Sequence, residues 1–260
     1  MLPARVDRTV LLTALRERRL DRTLTSAMPA LDPSDDQAVG STGLPALDAR
    51  LGGGLPRGHL SEIVGPRSSG RTSLLFQVLA AATARGELVA VVDALDMFDA
   101  ASAAAAGVDL TRLLWIRGHV VSNPGLCRDL NQRAMEQAVK ALGLVLQAGN
   151  FGLVVLDLGD APHDAVRRLP FTTWLRLQRM VEGRQTMCVL VGNEPMSRSS
   201  AGLSIKMQPS GDVEHRASHA ARFNGHLFDG LNLETRVARA RVQAADTVAL
   251  PMKTKVACHV

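Results

Sequence analysis

Tyrosine is absent and aromatic residues make up only 3% of the 260 residues, so a base-stacking platform for single-stranded nucleic acid would be poorly supplied. Cysteine is nearly as scarce. Cys127, Cys188 and Cys258 stand far apart, a spacing that fits neither a metal site nor a disulfide framework. Cys188 lies in an apolar run and is expected to be a core thiol. No apolar run is long enough to span a bilayer. The N-terminus alternates charge with leucine and shows no signal-peptide core. Together these absences predict a reduced, cytoplasmic protein with no membrane partner. Lysine is confined to Lys140, Lys206, Lys253 and Lys255, so nearly all the cationic charge behind the net +5 is arginine. Arginine suits phosphate or acidic partners through its bidentate geometry. A GC-rich genome that writes arginine wherever a cation serves explains the composition equally well.

What is present is ordinary globular material, 46% apolar and 21% charged, in a chain long enough for a full α/β core. Val10, Leu11 and Leu15 fall near helical spacing among charged residues, which predicts an amphipathic helix within 1–23. Residues 24–40 are rich in Ser, Pro, Asp and Ala and are expected to form a linker. A helix tethered in this way either folds back or docks on a neighbour. Between 41 and 247, buried-type strands (Val89 to Asp93, Leu153 to Asp157, Met187 to Val191) alternate with helical patterns. The longest helix is expected from Cys127 to Ala148. This order predicts a mostly parallel central sheet with helices on both faces. Further on, Leu203, Ile205 and Met207 alternate with polar residues, as do Leu231, Leu233, Thr235 and Val237. The second set shifts by one residue at Ala238, which predicts a bulge or a change of face. These segments are expected to be antiparallel strands closing the sheet, followed by a basic, disordered tail over 248–260. His215 and His219 have i,i+4 spacing, but no Glu or Cys nearby completes a metal set, and no metal site is expected there.

The chemistry concentrates in Gly65-Pro66-Arg67-Ser68-Ser69-Gly70-Arg71-Thr72-Ser73. An apolar run precedes this stretch and an apolar helical pattern follows it. That is the strand–loop–helix context of a phosphate-binding loop, whose backbone N–H groups curl around phosphate at a helix N-terminus. The motif requires lysine where this chain has Arg71.

Several segments in order resemble the RecA recombinase family: Ser41-Thr42-Gly43, Leu47-Asp48, Leu51-Gly52-Gly53-Gly54-Leu55-Pro56-Arg57-Gly58, Glu62-Ile63 and the phosphate loop. Ala106-Gly107-Val108-Asp109-Leu110 and Thr235-Arg236-Val237 extend the likeness to about residues 40–245. The resemblance implies a RecA-like P-loop α/β fold with ATP and magnesium as candidate ligands. Thr72 would face magnesium, and Asp157 matches the Walker B position, where it either holds magnesium through water or is a relic.

The departures from that pattern matter as much. The loop lysine of RecA-like enzymes contacts the β- and γ-phosphates as a compact point charge. Arg71 keeps the charge but is larger and planar; it either binds nucleotide in some altered way or points to solvent. RecA's catalytic glutamate sits two residues after the aspartate ending the second core strand, and here that position is Leu95, with Asp96 beside it. The two stretches matching RecA's DNA-binding loops, Gly159 to Pro170 and Gly192 to Gly202, look shortened. Asn193 falls where RecA has a glutamine that senses the γ-phosphate. Arg167, Arg168 and Arg198 are candidate DNA or partner contacts, or simply solvated side chains. Of the two lysines that reach the neighbouring protomer's ATP in RecA, one becomes Arg241 and the other Gln243.

A RecA-like core so altered is most similar to the ImuA group of accessory proteins in bacterial mutagenic translesion synthesis, and also resembles SulA-like division inhibitors. The first resemblance implies a role in the SOS response to DNA damage. Its implied partners are RecA, an ImuB-like Y-family polymerase homologue, a DnaE-type error-prone polymerase, and DNA itself. A non-hydrolysing adaptor is the expectation. The alternatives are a divergent DNA-stimulated ATPase using Arg71 and Asp96, and a division inhibitor.

Overall fold

The inner strands are apolar on both sides because helices cover both sides. In the computed structural model, which describes residues 39–118, 128–159, 161–197, 202–209, 232–239 and 250–253, β3 (Leu60–Val64), β4 (Val89–Asp93) and β7 (Met187–Gly192) are buried throughout. β6 (Leu153–Asp157) is buried except at its last residue. With β5 (Leu113–Arg117) and β8 (Ser204–Pro209) they form six parallel strands in the order β8-β3-β7-β6-β4-β5. Two antiparallel strands, β9 (Asn232–Arg239) and β10 (Leu250–Lys253), continue the sheet beyond β8. A separate two-stranded ribbon pairs β1 (Val39–Gly40) with β2 (Leu55–Pro56).

Side chains alternate across a strand with a period of two, and this divides the core. Val89, Val91, Leu153, Val155, Met187 and Val189 face one layer with α2 (Arg71–Ala84). Ala90, Val92, Val154, Leu156, Cys188 and Leu190 face the other, with α4 (Arg128–Ala148) and α6 (Phe171–Val181). Three shorter helices complete the described set: α1 (Pro45–Arg50), α3 (Ala100–Ala105) and α5 (His163–Arg167).

Local chemistry explains several of the motifs. The Asp48 carboxylate accepts hydrogen bonds from Ser41 Oγ (2.6 Å), Thr42 N (2.8 Å) and Thr42 Oγ1 (2.7 Å), tying the entry of the core to α1. Gly54 must be glycine: its φ is +142°, and a Cβ there would lie 2.1 Å from the Gly40 carbonyl oxygen. At the start of β4, Glu87 is fully buried, with Arg57 Nη2 at 2.6 Å and Arg85 Nε at 2.9 Å. A buried carboxylate is tolerated there because two guanidiniums meet it.

The shift expected at Ala238 is present. Ser204 stands opposite Arg239 and Ile205 opposite Val237, leaving Ala238 as the extra residue of a bulge. Other boundaries differ. β10 occupies 250–253, inside the stretch expected as a disordered tail over 248–260. β1 begins at Val39, inside the expected linker. The short helix α5 was not legible in the sequence, because five residues are too few to display a helical period. The expected helix within 1–23, Arg198, His215, His219 and Arg241 lie outside the described residues.

Candidate functional site

β3 delivers the chain to Gly65, whose N–H donates to the Gly192 carbonyl (3.2 Å) at the end of the neighbouring strand β7. A Cβ at Gly65 would meet the Met207 carbonyl oxygen at 2.4 Å and Ser69 Oγ at 2.6 Å, so this turn packs too tightly for any side chain. The loop then swings outward. Pro66, Arg67 and Ser68 are exposed, and Ser68 takes φ +59°, a sparsely populated conformation for a residue with a side chain. Ser69 is buried, and among the described residues its Oγ has no hydrogen-bond partner. Gly70, at φ +84°, caps α2 in the left-handed region. Leu74 N donates back to Gly70 O (3.0 Å). The first N–H groups of a helix have no intrahelical acceptor and carry the positive end of its dipole. Those amides, the orphaned Ser69 hydroxyl and the exposed Thr72 make a cradle that fits an anion.

The cation of the loop does not complete that cradle. Arg71 is buried, at 8% exposure, which excludes the reading in which it points to solvent. Its Nη1 donates to the Gly159 carbonyl at 3.1 Å. Gly159 in turn donates its N–H to Asp157 Oδ1 at 2.7 Å. Asp157 ends β6, one strand removed from β3 with β7 between them. Arg71 and Asp157 are therefore joined through a single intervening residue.

The end of β4 has been put to structural use. Asp93 is buried, and its carboxylate accepts from Met97 N (3.0 Å), Phe98 N (2.8 Å) and Trp115 Nε1 (3.2 Å), fixing the turn that follows. Leu95 is 6% exposed and belongs to the apolar cluster on the α4 and α6 side. Asp96 sits at φ +58° with both oxygens engaged by Arg117, Nε at 2.7 Å and Nη2 at 2.8 Å. The Arg117 guanidinium lies 4.6 Å from the Trp115 ring centroid. Its hydrogen bonds hold the Asp96 carboxyl below the usual carboxylate range. A carboxylate so depressed and so occupied is a poor proton acceptor. Both oxygens of Asp96 are thus turned to Arg117.

The loops after β6 and β7 enclose a cleft of about 530 Å³, lined among others by Gly159, Arg167, Trp174, Asn193 and Met196. His163 Nε2 lies 2.7 Å from Glu194 Oε2 across it, an ion pair when the imidazole is protonated. Arg167 and Arg168 are both exposed, and Arg167 lines the cleft. The stem of the second loop is held from below. Glu62, buried on β3, accepts through Oε1 from Met196 N (2.8 Å) and Ser197 N (2.5 Å).

The family model for the RecA N-terminal domain matches residues 24–162. This chain belongs to the RecA family. Protein RecA of Ectopseudomonas oleovorans is 28% identical over 237 residues, covering 82% of this chain and 64% of that one. Protein RecA of Chlorobium chlorochromatii (strain CaD3) is 34% identical over 170 residues, covering 60% of this chain and 44% of its relative. The chain thus spans about half the length of these curated relatives. The crystal structure of the RadB recombinase matches with a TM-score of 0.53 at 20% identity, over 82% of this chain and 94% of that one, which establishes the shared fold.

Within this RecA-family fold the structure brings together Arg71, Asp157 and the cleft residue Arg167 around Gly159 and the loop after β6. It assigns Asp93, Glu62 and Arg117 roles that the sequence alone did not reveal. A glutamate inside the buried strand β3 was a legible signal, since buried carboxylates are rare without partners. Nothing local marked Gly159, whose role depends on a residue 88 positions away.

Proposed function

We propose that this RecA-family chain is a non-hydrolysing adaptor in the SOS response, supporting error-prone translesion synthesis by binding RecA and an ImuB-like Y-family polymerase homologue. One observation carries the reading. The position expected to hold a catalytic glutamate is an apolar core residue, Leu95, and the carboxylate beside it is consumed by Arg117. General-base assistance is commonly worth ~10²–10⁴ in rate, so its loss leaves a scaffold without efficient turnover. Where Mg-ATP binds, its phosphates would meet the backbone amides at the start of α2 and its magnesium the Thr72 hydroxyl, with Asp157 in the outer shell. The bound nucleotide would supply a phosphoanhydride that this chain has no evident base to open.

In this proposal the cytoplasmic adaptor works in a complex that also holds a DnaE-type polymerase. Residues 1–23 serve as a docking helix on the linker 24–40. Arg167, Arg168 and Arg198 contact the partner or DNA, and Arg241 is a residual cation toward a neighbouring RecA-family protomer. The test pairs two measurements on purified protein. Phosphate release from ATP with single-stranded DNA is expected to stay at background. Pull-downs are expected to retain RecA or the polymerase homologue, and not the tubulin-like division protein. Rapid DNA-stimulated hydrolysis would show that the chain is an ATPase. Retention of the division protein alone would reassign it as a division inhibitor.

A further inference from the structure

The two loops that wall the cleft are both tied to the phosphate loop and its strand by protein groups alone. Arg71, the first residue of α2, reaches across to the Gly159 carbonyl at 3.1 Å, and Gly159 is fixed from its other side by Asp157 at 2.7 Å. Glu62, on the strand that leads into the phosphate loop, holds the amides of Met196 and Ser197. Arg71 is buried and its bond to Gly159 is partly so, which limits competition by water. To reach a phosphate on the loop with Nη1, this guanidinium would have to release the Gly159 carbonyl.

From these contacts we infer that Arg71 is a positioning residue, an internal strut that holds the loop after β6 in one conformation whether or not Mg-ATP is present. The cleft walled by Gly159, Arg167, Asn193 and Glu194 is then presented constitutively, and nucleotide has no leverage on it. A ligand shifts a conformational equilibrium only by its differential affinity for the two states. With one donor of the loop cation already held by Gly159, the part of this difference that Arg71 could confer is small. The inference rests on the Arg71–Gly159 contact and holds whichever partner the chain serves.

Hydrogen exchange on the full chain tests it, read at the amides of Gly159, Ala161 and Ala165, with β6 amides as the internal control. In the unaltered protein, saturating Mg-ATP is expected to leave exchange at these three amides unchanged. Arg71→Met keeps the apolar stem and removes the donors. It is expected to speed their exchange by about 10-fold or more, the ratio that follows from losing one charge-assisted hydrogen bond, while β6 stays protected. Slower exchange at Gly159 and Ala161 on adding Mg-ATP to the unaltered protein would overturn the inference, and that arm needs no variant to fold. Unchanged exchange at these amides in a folded Arg71→Met protein would overturn it equally. Neither outcome depends on hydrolysis or on pull-downs, so this inference and the adaptor reading can fail separately.

Discussion

Substituting Leu95→Glu places a carboxyl where RecA's catalytic glutamate would be, and the structure predicts that it damages the fold without restoring turnover. Leu95 is 6% exposed within an apolar cluster. Withdrawing a leucine from such a site costs about 1.5–3 kcal/mol. An unpartnered polar group in its place costs roughly 1–3 kcal/mol more. The sum, about 2.5–6 kcal/mol, corresponds to a fall in melting temperature of ~5–24 °C, at about 2–4 °C per kcal/mol for a domain of this size. Burial raises the carboxyl's folded pKa above its unfolded value of about 4.3. Between those two values the native state binds more protons than the unfolded state, so stability must fall as pH rises through that window, at up to ~1.4 kcal/mol per pH unit. Melts at pH 5 and pH 8, followed by circular dichroism, should therefore show a larger deficit at pH 8. Phosphate release measured in parallel should remain at background. A variant that melts like the unaltered protein and gains ~100-fold in DNA-stimulated phosphate release, the scale of general-base help, would refute the placement of Leu95 in the core.

Other outcomes follow from the same geometry. Glu62→Ala removes the acceptor for two amides of the loop after β7 and should cost about 2–4 kcal/mol in urea melts, as expected for buried bonds to a charged group; Glu62→Gln should recover part of that loss. Asp96 titrates below its ordinary value because Arg117 hydrogen-bonds it. Its contribution to stability is therefore present above the unfolded carboxyl pKa and lost as pH falls through the lower folded one. Asp96→Asn should flatten the acid limb of a stability–pH profile while leaving the alkaline limb alone. Burial pushes the Cys188 thiol up to about 12. In a chain carrying Cys127→Ser and Cys258→Ser, a thiol reagent at pH 8 should therefore label Cys188 only after unfolding. Gly65→Ala should destabilise markedly, since its Cβ would lie 2.4 Å from a backbone oxygen; a melt unchanged from the parent would show that the loop has room the structure denies it.

Most of the sheet was legible because its strands are local runs. Five-residue apolar segments bounded by turn residues announce buried parallel strands, and a one-residue shift of the apolar set announced the bulge at Ala238. Less legible were elements too short to show a period, such as α5, and strands specified by their neighbours, such as β10. Within the site, the strand–loop–helix order around 65–73 could be read from residue types at fixed spacing. What each altered residue does instead could not.

The sequence by itself determined that a glycine-bounded loop joins a buried strand to a helix on an α/β sheet, with arginine at position 71 and leucine at position 95. Those are facts of local order and spacing, and the chain writes them directly. Only the tertiary structure decided that Arg71 turns to Gly159, that Arg117 claims Asp96, and that Glu62 holds the loop after β7. Each of these joins residues 21 to 134 positions apart. A side chain's bonding is set by which donors and acceptors the packed sheet brings within about 3 Å, and no linear spacing encodes that proximity.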